Sequence, residues 1–498
     1  MPFQKTYKII DLFAGPGGLG EGFSQFKYKG KNVFEILVSI EKEKHAHATL
    51  RLRSFTRKFK QLPTEYYSYL KGNISLEKLY DTYPVEAALA SSETWHLELG
   101  QAGESFNYVA KQVSDRIEDG HNRECIVIGG PPCQAYSLVG RSKMRGRDGF
   151  EDDPRHTLYI EYLKFIAEFE PAAFVMENVK GILSSKHKEK SVFAKILSDL
   201  SSPRTALNLK DTSEKNDLGY NVYSLSIAGD PDEISPKDYT IKSEEYGIPQ
   251  ARHRVVLFGV RSDIKILPDV LTKAKEKVSV EEVIGDLPML RSGLSKENDT
   301  PQNWVAAIKS KFPSSKIQPN LMRGAEFIAH RVGPIAHSEW YVDPSLKGTL
   351  NHTTRAHIRG DLHRYYFATS YALEEGSSPK LSNLPTELLP NHKNVSEAIK
   401  GGSLFSDRFR VQVRDKPATT ITSHISKDGH YFIHYDNRQC RSLTVREAAR
   451  IQTFPDNYKF EGPRTSQYQQ VGNAVPPLLA NQIAAVVFDL LERNSSDT

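Results

Sequence analysis

The chain is poor in the residues that staple or anchor a protein. Its 498 residues include three cysteines, Cys125, Cys133 and Cys440. No CxxC pair occurs, so neither a disulfide framework nor a cysteine zinc site can be built, and no metal is expected. Long apolar runs are missing as well. Nowhere do about 18 uncharged apolar residues follow one another, as a spanning helix requires, and residues 1–8 lack the apolar stretch of an export signal. A large charge of one sign is also absent: 66 basic residues against 61 acidic leave only +5, which by itself diagnoses no nucleic-acid or acidic partner. A protein of the reducing cytoplasm, outside any membrane, is the expectation.

Hydrophobic residues make up 39% of the chain and charged residues 26%, ordinary values for a soluble globular protein. The length suits two to four domains at roughly 100–200 residues each. The basic surplus is uneven: residues 51–60 hold five basic and no acidic residues, and residues 141–147 hold four basic ones. Each, taken alone, reads as solvated surface.

Residues 7–13 (YKIIDLF) and 34–41 (FEILVSIE) form β-rich runs around a glycine turn, a βαβ opening. Strand-like runs recur at 125–128, 172–176 and 255–260, and 158–168 has helical periodicity. This alternation predicts an α/β fold with a largely parallel sheet covered on both faces. Residues 42–122 read as an elaboration hung on that core. From 263 to 410 the texture becomes rich in Pro, Ser, Asn, Lys and His, which predicts a second, less regular domain. Thr444 followed by Glu447 forms a capping box for a helix over 443–452, and the apolar helix over 480–491 needs a large partner surface.

Gly15-x-Gly17-x-x-Gly20 follows the first strand, and Glu41 closes the next one 21 residues after Gly20. That spacing lets backbone approach a ligand and a carboxylate meet a ribose diol, whether of a dinucleotide or of another adenosine cofactor. Gly129-Gly130-Pro131-Pro132 then holds Cys133 at the carboxyl edge of the sheet. Forty-four residues on, Glu177-Asn178 arrives at the same edge. Arg252 and Arg254 flank His253 in an extended segment, one residue apart and therefore on one side. A thiol, a carboxyl and paired guanidiniums suit nucleophilic addition to an electron-poor ring whose heteroatoms need protonation or hydrogen bonds.

Seven segments now fall into one order: DLFAGPGGLGEGF at 11–23, GGPPCQAYS at 129–137, DPRHTLY at 153–159, MENVKG at 176–181, QARHRV at 250–255, RSLTVREAARIQTFPD at 441–456 and GNAVPP at 472–477. In these the chain resembles the DNA cytosine-5 methyltransferases of prokaryotic type. The resemblance implies a Rossmann-like S-adenosylmethionine-dependent methyltransferase domain at 1–262 plus 472–498, and a smaller irregular domain at 263–471 that reads the target through residues about 263–440. It implies S-adenosylmethionine bound by Phe13, Gly15, Gly17, Gly18, Leu19, Pro131 and Leu158, with Glu41 on the ribose and Asn473, Ala474 and Val475 completing the pocket. Cys133 is then the nucleophile toward C6 of cytosine, Glu177 holds N3, and Arg252 and Arg254 orient Glu177, the base and its phosphate. The loop at 138–150 is similar to one that closes over a flipped base.

One motif departs from the family. The acid that reads the adenine amino group has its nearest counterpart in Gly72-Asn73-Ile74, where an amide stands instead. The implied partner is double-stranded DNA, with a nucleoid-associated, monomeric enzyme that can accompany a restriction endonuclease. Three alternatives stand beside this reading: a nicotinamide or flavin oxidoreductase, a transfer RNA cytosine-5 methyltransferase, and a catalytically dead DNA-binding regulator. Within the second domain, Arg355, Arg359 and Arg364 are of a type that grips phosphates and base edges.

Overall fold

A computed structural model describes residues 6–100, 106–117, 124–132, 158–187, 190–209, 218–391, 395 and 406–497. The chain opens with β1 (Tyr7–Leu12), α1 (Gly18–Gln25) and β2 (Phe34–Glu41). A helical insert follows: α2 (Lys44–Arg57), α3 (Thr64–Leu70), α4 (Leu76–Thr82) and α5 (Pro84–Glu93). Next come β3 (Thr94–His96), α6 (Phe106–Ser114), β4 (Ile126–Gly129), α7 (Leu158–Phe169), β5 (Ala173–Val179) and α8 (Val192–Ser201). The sheet is completed by β6 (Tyr220–Tyr223), β7 (Thr240–Lys242) and, after the short β8 (Gln250–Ala251), by β9 (His253–Arg261).

These strands make an eight-stranded sheet in the order β6-β9-β5-β4-β1-β2-β3, with β7 also on β9. The five strands from β3 to β5 are parallel, and β9 runs antiparallel to β5. Strand order reverses on either side of β1, so the carboxyl ends of β1, β2 and β4 open a crevice there, the usual ligand position in such sheets. One face packs on α1 and the last helix, α13 (Pro477–Asp497), through Phe23, Leu479, Ile483 and Val487. The other face packs on α6, α7 and α8. Residues 479, 483, 487 and 491 of α13 recur at helical spacing, and each fully buried side chain contributes roughly 1.5–3 kcal/mol. This core is the partner that the apolar terminal helix requires.

The insert is more than an ornament. It supplies β3 to the sheet and α6 to one face, while α3 to α5 pack around Phe55, Tyr66 and Leu79 together with Leu346 and Leu350 of the second lobe. Three of the five basic residues at 51–60 are not solvated surface either: Arg53 is 7% exposed and paired with Glu21, and Arg57 and Lys58 both meet Glu93, while Lys60 is exposed. Net positive charge in the sequence could not reveal carboxylates folded against it from distant positions.

The sheet's core continues beyond residue 262, because Ile264 and Leu271 still pack in it. A second lobe begins near Val280 and carries two clusters of its own. It contains α9 (Pro301–Lys309), the pair β10 (Gly324–Ala329) and β11 (Gly348–Thr353), α10 (Arg359–Glu375), β12 (Ala418–Thr419), α11 (Val445–Ile451) and α12 (Arg464–Asn473). Two of the three arginines read as DNA contacts are committed inside it, while Arg359 stays exposed, with 46% of its side chain open to solvent. Arg355 donates to the carbonyls of Lys427 and Ile425 and stacks on Tyr468, Arg364 holds Asp361 and the Leu388 carbonyl, and Arg359 pairs with Glu297.

The capping box of α11 forms as the sequence predicts, with the Glu447 carboxylate accepting from the backbone N–H of Thr444 at 2.7 Å. The same carboxylate takes a two-pronged bond from Arg441, at 2.7 and 2.6 Å, and both side chains are 1% exposed. Arg441 holds the Glu447 carboxyl far below the usual carboxylate range, overcoming the opposing effect of burial. Glu447→Gln, which strands the guanidinium, is expected to cost about 3–5 kcal/mol of unfolding free energy, against less than about 1 kcal/mol for Glu35→Gln in the exposed Lys8 pair. Urea unfolding of the two variants checks this, and equal midpoints would contradict it.

Candidate active site

The glycine turn leaves β1 through Phe13, a bulky residue at φ 55, a conformation that costs energy and clusters at functional sites. The N–H of Ala14 donates to the Ile40 carbonyl at 3.0 Å, and that of Gly15 donates to the Glu41 carboxylate at 2.8 Å. Glu41 also accepts from the N–H of Glu43 at 2.7 Å. Burial raises the Glu41 carboxyl from its ordinary value, and these two donors pull it back. The glycines divide by what a Cβ would meet. At Gly17 it would stand 2.8 Å from Leu50 and 3.1 Å from the Tyr458 hydroxyl, at Gly18 2.3 Å from the Val475 carbonyl, and at Gly20 2.8 Å from Asp11. At Gly15, with φ +57, it would meet nothing within 4 Å among the described residues. Three glycines therefore satisfy the protein's own packing, and among the described residues only Gly15 of these four fronts open space.

Asp11 lies beneath this turn, fully buried, and neither carboxyl oxygen has a hydrogen-bond partner among the described residues. Burial pushes its carboxyl up to about 8, so the neutral form prevails at neutral pH. Leu19 is buried beside the sheet, and Ala474 and Val475 lie against Gly18, while Asn473 is exposed at the end of α12. Leu158 starts α7, whose other end meets β5, so it stands at the carboxyl edge.

Beside this pocket, β4 ends in Gly129, where a Cβ would stand 2.5 Å from the Leu12 carbonyl, and continues through Gly130 and Pro131. A Cβ on Gly130 would be 3.2 Å from Glu177 Oε2. The Asn178 amide reaches the Pro131 carbonyl at 3.5 Å and accepts from the Val179 N–H at 2.8 Å, tying the two strand ends together. Arg254 Nε meets Glu177 Oε1 at 2.9 Å. Cys133 and the loop at 138–150 lie outside the described residues.

Arg252 does not join that pair. It is 2% exposed and donates to the carbonyls of Ile421 at 2.9 Å and Gly472 at 3.2 Å. The one-side argument fails because the extended segment changes partners at this residue: β8 pairs with β12 of the second lobe, and β9 begins only at His253. Gln250 adds to the joint by accepting from the Ile421 N–H at 2.7 Å and donating to Gln452 at 2.5 Å. Arg252 is thus a tie between lobes.

Asn73 and Ile74 are not brought to the crevice. They occupy the turn between α3 and α4, where the N–H of Asn73 donates to the Ser68 carbonyl and Ile74 packs on the insert's own core. The strand adjoining β2 is β3, so the residues beside Glu41 are those that follow it. The N–H of Leu97 donates to the Glu41 carbonyl at 3.1 Å, Glu98 pairs with Lys42 at 2.8 Å, and a Cβ on Gly100 would lie 3.2 Å from Glu161 in the first turn of α7. An acid right after the β-prone Thr-Trp-His run was the available signal, obscured by the run's three-residue length.

A profile of C-5 cytosine-specific DNA methylases matches residues 114–489. The Type II methyltransferase M.Bpa9945I of Bacillus paralicheniformis is 34% identical, over 97% of this chain and 99% of its own. This chain belongs to the C-5 cytosine-specific DNA methylase family. M.DdeI of Desulfomicrobium norvegicum, also a Type II methyltransferase, is 29% identical over 96% of this chain and 87% of its own. A crystal structure assigned as a DNA modification methyltransferase of an E. coli prophage superposes with a TM-score of 0.50 at 19% identity, covering 98% of this chain and all of the other, which bears on the fold alone. The protein is a DNA cytosine-5 methyltransferase of Type II restriction-modification character, and the oxidoreductase and transfer RNA alternatives give way to it.

The two arginines of this methylase are expected to fail differently. Arg254→Ala should reduce methyl transfer at least tenfold while leaving the melting temperature within a few degrees, since it removes a charge-assisted contact at a partly open edge. Arg252→Ala should lower the melting temperature by several degrees, because it strands buried carbonyls at the lobe junction. Melting curves and methyl incorporation, measured together, check the split, and identical behaviour of the two variants would contradict it.

Proposed function

We propose that the enzyme transfers a methyl group from S-adenosylmethionine to C5 of a cytosine flipped out of a specific duplex DNA sequence, through a covalent bond between Cys133 and C6. The observation that carries this reading is the Glu177–Arg254 pair at 2.9 Å, set beside the Pro131-Pro132 segment that leads into Cys133. The open front of Gly15 and the Glu41 carboxylate suit an adenosine cofactor, with Phe13, Leu158, Leu97 and the Ala474-Val475 return as its apolar surround. Glu98 takes over the adenine-side role first assigned to Asn73 and Ile74. When bound, S-adenosylmethionine supplies an electrophilic methyl on a sulfonium.

The chain's own residues prepare the base. A thiolate at Cys133 adds to C6 while Glu177 holds N3 protonated or hydrogen-bonded, which lets the electron pair displaced by the addition collect at C5. Arg254 fixes the Glu177 carboxyl in place. Once C5 carries the methyl, loss of its proton and departure of the Cys133 thiolate restore the aromatic ring. A stacked base cannot reach this edge, so the cytosine leaves the helix. We assign target reading to the second lobe, and see the enzyme acting as a monomer near the nucleoid alongside a restriction endonuclease.

Cys133→Ser is expected to keep cofactor and DNA binding but to lose methylation by orders of magnitude, since a hydroxyl is a far weaker nucleophile than a thiolate. Duplexes carrying 5-fluorocytosine should trap the wild type covalently and leave the variant free on denaturing gels. Near-normal turnover by the serine variant would remove the covalent mechanism. For the cofactor, S-adenosylmethionine and S-adenosylhomocysteine should raise the melting temperature by mass action, whereas NAD and FAD should not, and Glu41→Ala should shrink the rise. Equal stabilisation by NAD would count against the cofactor reading.

A further inference from the structure

The residue that props the glycine turn comes from the second lobe. Tyr458, 1% exposed, donates its hydroxyl hydrogen to the carbonyl of Pro16. The Pro16 carbonyl belongs to the Pro16–Gly17 peptide plane, which joins a proline to a glycine at φ 96, with Gly15 at φ 57 on the other side of the proline. Gly17 itself gives that plane little preference; the Gly17 N–H, donating to the Ala14 carbonyl at 2.9 Å, holds one edge of it and Tyr458 holds the other. The tyrosine is itself held firmly. Arg446, 0% exposed, donates to the Tyr458 carbonyl at 2.6 Å, and the ring packs on Phe454 and Phe460. The Arg53 guanidinium stands 4.9 Å from the ring centroid and grips Glu21, in the first turn of α1, at 2.9 Å. Arg53 also donates to Asn457 at 3.1 Å, and Asn457 to Asp343 at 2.8 Å.

We infer that Tyr458 is a positioning residue for the cofactor: its hydroxyl fixes the Pro16–Gly17 peptide in the form that leaves Gly15 open to the ligand. The inference rests on the reading of the turn as the S-adenosylmethionine site. It makes the second lobe a participant in cofactor binding as well as in target reading. Closeness of fit supports the prop, since a Cβ on Gly17 would stand 3.1 Å from the hydroxyl.

Tyr458→Phe keeps the ring and its packing and removes only the donor. Leaving one buried carbonyl without its hydrogen bond costs enough to weaken a dependent equilibrium roughly five- to fiftyfold. Calorimetric titration with S-adenosylhomocysteine should show that loss of affinity, and the KM for S-adenosylmethionine should rise to match. The kcat at saturating cofactor and the KM for DNA should stay within about twofold. Tyr468→Phe is the matched control, because that buried tyrosine donates to the Leu443 carbonyl at 2.7 Å, away from the turn. It should lower the melting temperature comparably and leave cofactor affinity unchanged. Unaltered affinity in Tyr458→Phe, or equal weakening in Tyr468→Phe, would overturn the inference while the cofactor reading stands. A wild type that binds neither S-adenosylmethionine nor S-adenosylhomocysteine would overturn that reading, and the inference with it.

Discussion

Three guanidiniums and a carboxylate sit at the centre of the second lobe with almost no access to water, and the rest of the molecule is arranged around keeping them satisfied. Arg441, Arg446, Glu447 and Arg450 are each 1% exposed or less. Removing charges from water costs several kcal/mol apiece unless every donor finds a partner. Glu447 neutralises Arg441, and Asp456 and Asp286 share Arg450. Among the described residues Arg446 pairs with no carboxylate, and donates instead to the carbonyls of Leu350, Pro455 and Tyr458. Burial lowers it to about 10, still cationic at neutral pH. Leu350 and Asp286 come from distant parts of the chain, while Pro455, Asp456 and Tyr458 belong to the segment itself, so the polar bonds both fold residues 441–458 back on themselves and tie them to the rest of the lobe. A seven-residue helix whose every position is buried, α11, is stable only in such a setting.

That path decides how the lobes meet. From α11 the chain passes Tyr458, beneath the glycine turn, and then α12, whose end at Gly472 receives the second bond from Arg252. Gln452 donates to the Ala474 carbonyl, and Gln250 donates to Gln452. The core thus holds the second lobe through main-chain carbonyls at three places. Catalysis by preorganised groups tolerates little misplacement, and an edge built from two lobes keeps its shape only if the joint is stiff. Arg254 can serve Glu177 because its neighbour two positions back serves the joint.

Much of this was legible in the sequence where a segment's job is local. The glycine turn, the paired prolines before Cys133, Glu177 at a strand end and the capping box at Thr444 all follow from turn chemistry and strand pattern. What misled was charge. The basic run at 51–60 and the arginines of 355–364 look alike in a sequence whether they face water, DNA or a buried carbonyl, and only long-range contacts such as Arg53 with Glu21 or Arg355 with Ile425 decide it. Asn73 and Ile74 were misplaced for a different reason. A three-residue pattern inside a long insertion fixes no register, whereas the pairing of β3 with β2 does.

The division of glycines shows why the turn and the returning chain have to be read together. A Gly-rich loop is ordinarily credited to its ligand, yet Gly17 and Gly18 are required here by Tyr458, Leu50 and Val475. Substituting either would first push the second lobe or the return segment off the turn, and any loss of cofactor would follow from that. Gly15 is the converse case, with open space on its Cβ side and its N–H held by Glu41. The same short pattern therefore encodes two constraints, one on the assembly of lobes and one on the ligand. They converge because the crevice at the sheet's switch point is where the chain leaves the first strand and where, more than 450 residues later, it comes back.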